Sequence, residues 1–379
     1  MMHTFPLGWP RWVVKTGARA TMTKSTLVIA FLLASPPALR AQSLDFSSVL
    51  SAGRPDAELY LEHFIGPFMK GFGHGLTNGW YNTARTHEFA GFDLVFGGSM
   101  VFVPKEELFF DMPDFQTIVP ANSNDLPTIF GPDADNLLSY ARTLPVTYID
   151  PRSGLPITVP ALISGEFAAV DGLDLEHRIG ASFVPVPMAQ VGIGLLRGTD
   201  LKIRWVPAVR TEDFDLRLFG VALRHDIGQW QPPSRRLPFD MSLLLAVMDL
   251  SAEGDLSAAK KGLAGTDQIA SYVITSTTFQ LLVSKDLSIF TFFGSAGYSA
   301  TSSNLSMTGR YIIEGKTVVN GRSVPAIGVL TDPVDLDFAD SGPRSSVGIR
   351  IKLLSLTAHA DFTFQRYSAL TMGVGLSVR

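Results

Sequence analysis

The closing stretch 370–379, LTMGVGLSVR, alternates strictly. Leu370, Met372, Val374, Leu376 and Val378 share one face of an extended chain. Thr371, Gly373, Gly375, Ser377 and Arg379 share the other. Period-two alternation over ten residues matches a tilted transmembrane strand, with an apolar face for lipid and a small or polar face for a lumen. A soluble sandwich would alternate too, with its polar face outside, so the neighbouring segments have to decide.

They repeat the pattern. In 356–365, Ala358, Ala360, Phe362 and Phe364 oppose His359, Asp361, Thr363 and Gln365; in 345–353, Val347, Ile349, Ile351 and Leu353 oppose Gly348, Arg350 and Lys352. In 89–103, Phe92, Leu94, Phe96, Met100 and Phe102 oppose Gly91, Asp93, Gly97 and Ser99. Weaker alternation marks strands at 67–76, 187–196, 200–207, 214–226, 239–250, 270–284 and 287–299. Short polar turns at 197–199 and 284–286 contrast with long, less strand-like links at 104–186, 251–268 and 302–342. That asymmetry is the habit of outer-membrane barrels, which also prefer an even strand number. The expected fold is therefore all-β: an antiparallel transmembrane β-barrel of about 12 strands, within a range of about 10–14, with a short N-terminal helix or plug.

Two segments are not wall. Residues 55–65 suit an amphipathic helix, with Asp56 as its cap, Leu61, Phe64 and Ile65 on its packing face and Gly66-Pro67 as its stop. Tyr60, Leu61, Phe64, Ile65 and Phe68 are the apolar plug candidates, able to pack the plug or to meet a greasy ligand. Residues 104–186 form a large proline-rich loop, and proline cannot donate to a sheet ladder. Within it a helix at 133–142, capped by Asp133, and a hairpin around 150–154 are expected.

The N-terminus reads as a targeting segment. From Met22, Lys24 supplies the positive charge, Leu27 to Ala34 the apolar core and Leu39-Arg40-Ala41 a cut site before Gln42. Residues 1–41 are then an upstream extension and a signal peptide, and 42–379 the barrel. The leader holds Arg11, Lys15, Arg19, Lys24 and Arg40 and no acid, so its removal takes the formal charge from −4 to −9. An acidic exported chain is a poor partner for nucleic acid. Zero cysteine excludes disulfides, thiolate zinc sites, iron–sulfur clusters and an N-terminal lipidated cysteine. The location that follows is the outer membrane of a Gram-negative-type bacterium, with membrane lipid and the barrel-assembly machinery as partners.

The string 71–84, GFGHGLTNGWYNTA, followed by GFDLVF, resembles the signature of an uncharacterised bacterial family of predicted outer-membrane β-barrels, a domain of unknown function. Similar segments run to the end, among them 187–207, 220–232, 284–299 and the closing HADFTFQRYSALTMGVGLSVR. The resemblance implies a barrel and brings no known activity. A weaker likeness to the long-chain fatty-acid transporters of the outer membrane rests on a plug ahead of the wall and large outer loops. No transporter motif matches, so no ligand residues carry over.

Candidate chemistry is sparse. None of the six histidines of the mature chain forms an HExxH or other metal spacing, and no cofactor or metal is expected. His359, Asp361 and Thr363 share a lumen face. Alternate strand residues lie about 7 Å apart, so His359 and Asp361 could hydrogen-bond and begin a hydrolase site. No GxSxG supplies a nucleophile, and a structural polar pair is the plainer reading; the chain is not expected to be an enzyme. Lys202 with Arg204 and Arg350 with Lys352 place bases inside, with Asp93 and Asp361 as partners: a bracing network or an anion path. Trp80, Tyr81, Trp205, Tyr298 and Tyr367 read as interface girdles or a stacking site. Gly71, Gly73, Gly75 and Gly79 lack the GK[ST] of a phosphate loop and read as sites in a strand for tight bends or for close approach of the plug. Passive transport or binding of a small hydrophobic compound is the expected function; a structural or surface-interaction barrel is the alternative, and a lipid hydrolase a third.

Overall fold

A computed structural model describes residues 47–378 apart from 135, 150–152, 211–213, 233–236, 257–263 and 320–321. The expected signal peptide lies outside the described residues. Ten strands form the wall: β1 (Phe92–Phe102), β7 (Phe183–Leu195), β8 (Thr199–Arg210), β9 (Phe214–Asp226), β10 (Asp240–Asp255), β11 (Gly265–Leu287), β12 (Phe290–Val319), β14 (Val334–Leu353), β15 (Leu356–Phe364) and β16 (Ala369–Val378). Each pairs antiparallel with its neighbours, β16 returns to β1, and pairing of β11 with β12 closes the ring. The barrel is thus closed and even-numbered, at the low end of the expected range.

One rim carries tight turns. Residues 196–198, 288–289 and 354–355 join strands there, with Arg197, Ser288 and Leu354 in the left-handed region that tight hairpins need. The opposite, loop rim carries 103–182, which holds β2 (Phe109–Asp111), β3 (Ile118–Pro120), β4 (Asp125–Pro127), the hairpin of β5 (Leu137–Ile149) and β6 (Pro156–Ala168), and a short helix at Leu175–Ile179. The hairpin around 150–154 is present as β5–β6, though its tip residues 150–152 lie outside the described ones. The expected helix at 133–142 is not: Leu137 opens β5, because its β-branched and aromatic residues pair with β6 instead. The links 251–268 and 302–342 are also more strand than expected. β10, β11 and β12 run on past the wall, and β13 (Arg322–Thr331) pairs with the upper arm of β12.

The physical reason is a reversal of pattern along single strands. In β14 the outward residues Val347, Ile349, Ile351 and Leu353 are apolar and exposed. Twelve residues earlier Asp335 and Asp337 point outward, while Val334, Leu336 and Phe338 are buried inside. In β10, outward Leu245 and Val247 give way to Asp249 and Ser251, and inward Ser242 gives way to Leu244, Ala246 and Met248. An apolar belt therefore girds only the part of the wall nearer the turn rim, with Phe92, Phe96, Phe219, Phe279, Phe292 and Val374 exposed on it. A contiguous apolar exterior of this size needs an apolar surrounding. Above the belt, the outer face meets water and the inner face packs on protein.

What it packs on is the N-terminal segment. After a short helix α1 (Ser47–Ser51), helix α2 (Arg54–Leu76) lies against β1, β7, β11, β12 and β14 from inside. Residues 77–91 then continue as an irregular strap to the turn rim, where Ala90 N–H bonds Gly194 O at 3.0 Å and β1 begins. Three expectations are corrected here. Residues 67–76 are helix, not strand, because each wall strand already has two partners and an extended segment in the lumen would leave its backbone unpaired. Gly66-Pro67 does not stop the helix; burial of these residues and of the flanking Phe64 and Met69 outweighs the lost hydrogen bond. Asp56 does not cap it. Gly53 precedes the helix, and Asp56 instead accepts the N–H groups of Gln116, Thr117 and Ile118 at 2.7–3.1 Å, tying α2 to the loop above.

The glycines lie in the helix and not in a strand, and of the two roles expected for them close approach of plug and wall is the one they have. A Cβ on Gly75 would stand 3.0 Å from Val101 Cγ2 and closer still to Val186. Gly79, with φ of +72°, turns the chain from helix into strap.

Candidate functional site

The lumen is the site, and two kinds of contact fill it. In its upper half α2 is held by apolar packing. Tyr60, Leu61 and Phe64 are buried against Phe110, Ile118, Leu138 and Phe338, with Ile65 and Phe68 packed at the edge. Tyr60 accepts the Val170 N–H at 2.9 Å, and burial pushes its phenol up to about 12. All five plug candidates thus serve packing.

The lower half is held by charge. Arg204 of β8 donates to Leu76 O at 3.1 Å, Asn78 O at 2.9 Å and Gln190 Oε1 at 3.1 Å, and its guanidinium stacks 3.9 Å over Trp80. Arg344 of β14 donates to Thr77 O at 3.1 Å and Asn78 Oδ1 at 2.6 Å. Two guanidiniums thus meet the carbonyl end of α2, where the helix dipole favours cations. Further down, Tyr81 Oη meets Ser295 and Ser346, both at 2.6 Å, and Arg224 donates to Thr83 O at 2.6 Å and to Asp200. Asp200 also accepts from the His87 N–H at 2.9 Å, and Lys202 pairs with Asp93 at 2.9 Å. From Leu76 to His87 the wall grips the strap at nearly every turn of the chain.

The expected lumen residues are placed as follows. Asp93, Lys202 and Arg204 all lie here, and of the bases expected inside it is Lys202 that Asp93 pairs with. Among the described residues Arg204 has no acidic partner; backbone carbonyls, Gln190 and Trp80 take its charge. Arg350 is buried on the inward face of β14, with Lys352 half-buried nearer the turn rim. His359 and Asp361 are buried and face inward, but they do not hydrogen-bond to each other: both His359 ring nitrogens lack a partner among the described residues, and Asp361 takes only a 3.5 Å contact from Thr363. Of the expected girdle, Trp205 and Tyr298 are exposed on the outer wall. Trp80, Tyr81 and Tyr367 are buried, a correction that follows from the plug's depth and the inward turn 365–368. Arg224, Arg344, Asp200 and His87 were not singled out from sequence. The first three continue the inward parity of Ala222, Ser346 and Lys202, which is the signal that would have found them.

At the loop rim the plug is latched. His74 of α2 meets Asp340 at 3.3 Å; Arg366 reaches Asp340 at 3.4 Å and Glu107 at 3.0 Å; Tyr367 donates to Glu107 and stacks on His74 with centroids 5.5 Å apart. Burial, then the bond to Glu107, pushes the Tyr367 phenol well up. Beside the latch lies a cavity of about 460 Å³, with Gly66 and Pro67 of the plug in its wall. A second hollow, among Leu94, Phe96, Ala358 and Val374, faces outward on the apolar belt and is not a site of the lumen.

Fold and lumen together define a closed ten-strand β-barrel with a resident N-terminal plug. The chain belongs to the family of unknown function DUF6588, whose model matches residues 22–378. Comparison with curated proteins finds no match. Among solved structures it is similar to the outer membrane protease OmpT from Escherichia coli, at 9% identity, with 78% of this chain and 100% of that chain covered and a TM-score of 0.23. It is also similar to the transport unit of the autotransporter AIDA-I from Escherichia coli, at 9% identity, 83% and 98% coverage and a TM-score of 0.25. For the translocator domain of the autotransporter NalP from Neisseria meningitidis the figures are 10% identity, 86% and 98% coverage and 0.21.

Proposed function

We propose that this chain resides in an outer membrane, its loop rim outward, and acts as a ligand-gated passage for a small compound with an apolar body. The observation that carries the reading is the single segment 54–91, which fills the lumen and also forms one side of the loop-rim cavity. A ligand there touches the element that must move. It opens the barrel only to the extent that it binds the shifted plug better than the seated one. Membrane lipid surrounds the belt, and the barrel-assembly machinery inserts it. No catalytic role is part of this reading, since Asp361 does not orient His359. The test is uptake of a chemically broad panel of radiolabelled compounds by cells with the wild-type chain, with none, and with residues 47–76 deleted. The reading expects at least one amphiphilic compound whose uptake needs the chain and changes on deletion. Equal uptake in all three strains overturns it.

The dense grip on residues 76–87 favours a second reading, a structural barrel held permanently shut. It expects that same equality.

A further inference from the structure

The loop-rim cavity has a chemical character that narrows its ligand, if the barrel is the ligand-gated passage proposed above. Its apolar side is Phe109, Phe110, Phe338 and Pro67. Its charged side carries Glu62, Glu106 and Glu107 against Lys70 and Arg366. Arg366 is spent, bound to both Glu107 and Asp340. Among the described residues Glu62 and Glu106 have no ion pair, and of the described cations lining the cavity Lys70 alone is left to face them. His63, with Nδ1 on Leu59 O at 2.8 Å, lays its ring 5.4 Å from Phe110 and extends the aromatic side. Aromatic faces and uncompensated carboxylates in one hollow attract the same thing, a cation with an apolar body.

We propose that this cavity binds a small organic cation of the aryl-alkyl amine class. The ammonium sits at Glu62 and Glu106, beside Glu107, and the apolar body lies on Phe109, Phe110 and Pro67. The position also couples binding to the plug. Glu107 lines the cavity and holds Arg366 and Tyr367; Arg366 reaches Asp340, and Asp340 meets His74 of α2. A cation that draws Glu107 away from Arg366 slackens the latch on the last turns of the helix.

The experiment is isothermal titration of the folded full-length protein in detergent at low salt, with 2-phenylethylamine, neutral 2-phenylethanol and anionic phenylacetate as probes. The amine is expected to bind saturably and the other two at least about fivefold more weakly. In Glu62→Gln/Glu106→Gln, which keeps side-chain size, the amine is expected to lose about fivefold or more, while Lys70→Gln does not weaken it. Raising salt weakens binding to the wild type. Equal binding of the three probes, an unchanged amine affinity in the double variant, or no saturable amine binding overturns the proposal. Amine binding without chain-dependent uptake leaves this site standing and removes the passage; uptake of neutral compounds without amine binding does the reverse.

Discussion

The two halves of the segment that fills the lumen are held in opposite ways. From Arg54 to Leu76 it is a helix held by shape: buried rings above, glycines against wall valines below. From Thr77 to Gly91 it has no regular structure, and the wall holds it with three arginines, an aspartate and serine hydroxyls. The contrast follows from backbone bookkeeping. A helix satisfies its own peptide groups and can sit among apolar side chains. An irregular strap cannot, so each of its buried carbonyls needs a donor from the wall, and guanidinium groups supply several at once. Each mode of attachment fails differently, and that is where the account can be broken.

The largest effect belongs to the strap. Asp200→Ala leaves Arg224 and His87 buried without their carboxylate and is expected to cost about 3–5 kcal/mol, read as a lower unfolding temperature of the detergent-solubilised barrel. A change that touches neither half sets the scale. Val374→Arg, on the apolar outer face of β16, is expected to cost about 2–4 kcal/mol in lipid vesicles, and cysteines introduced at 374 and 376 should resist water-soluble reagents there. In the helical half, Gly75→Leu forces a side chain against Val186 and Val101, at about 1–3 kcal/mol by urea titration. If it instead costs less than Arg54→Ala, the helix is not packed on the wall. Arg54→Ala breaks an exposed pair with Glu58 at the helix start and is expected to cost only about 0.3–0.5 kcal/mol.

Much of the wall was legible, and for a reason. A strand with lipid on one side and a lumen on the other must alternate, so 370–379, 345–353 and 89–103 declare their facing residue by residue. Ten of the segments read as strands are the ten wall strands; the eleventh, 67–76, is the plug. Its string of alternating glycines imitates a strand, because residues two apart lie on nearly opposite faces of a helix and this helix is pressed from both sides: Gly71 and Gly75 meet β7, and Gly73 meets β11 and β12. The arms above the belt were missed for the complementary reason. Asp335 and Asp337 alternate with Leu336 and Phe338, but with the opposite sense from Val347 and Ile349, so a pattern sought with one polarity breaks there. The grip itself was half visible: Lys202, Arg204 and Asp93 stand out on inward faces, whereas what they hold, the polar run 77–87, has no periodicity to betray it.

The central claim is that the N-terminal segment stays seated inside the closed wall. A chain without cysteine gives this a clean test. A Cβ at Gly73 would lie 3.1 Å from Thr301 Cβ on β12, close enough for a disulfide after a small adjustment. The variant Gly73→Cys/Thr301→Cys, oxidised in intact membranes and run denatured without reductant, should migrate as a closed loop in nearly all of the folded, heat-modifiable protein. Free thiols in a barrel that is nonetheless folded, both labelled by a membrane-impermeant maleimide, would contradict the account.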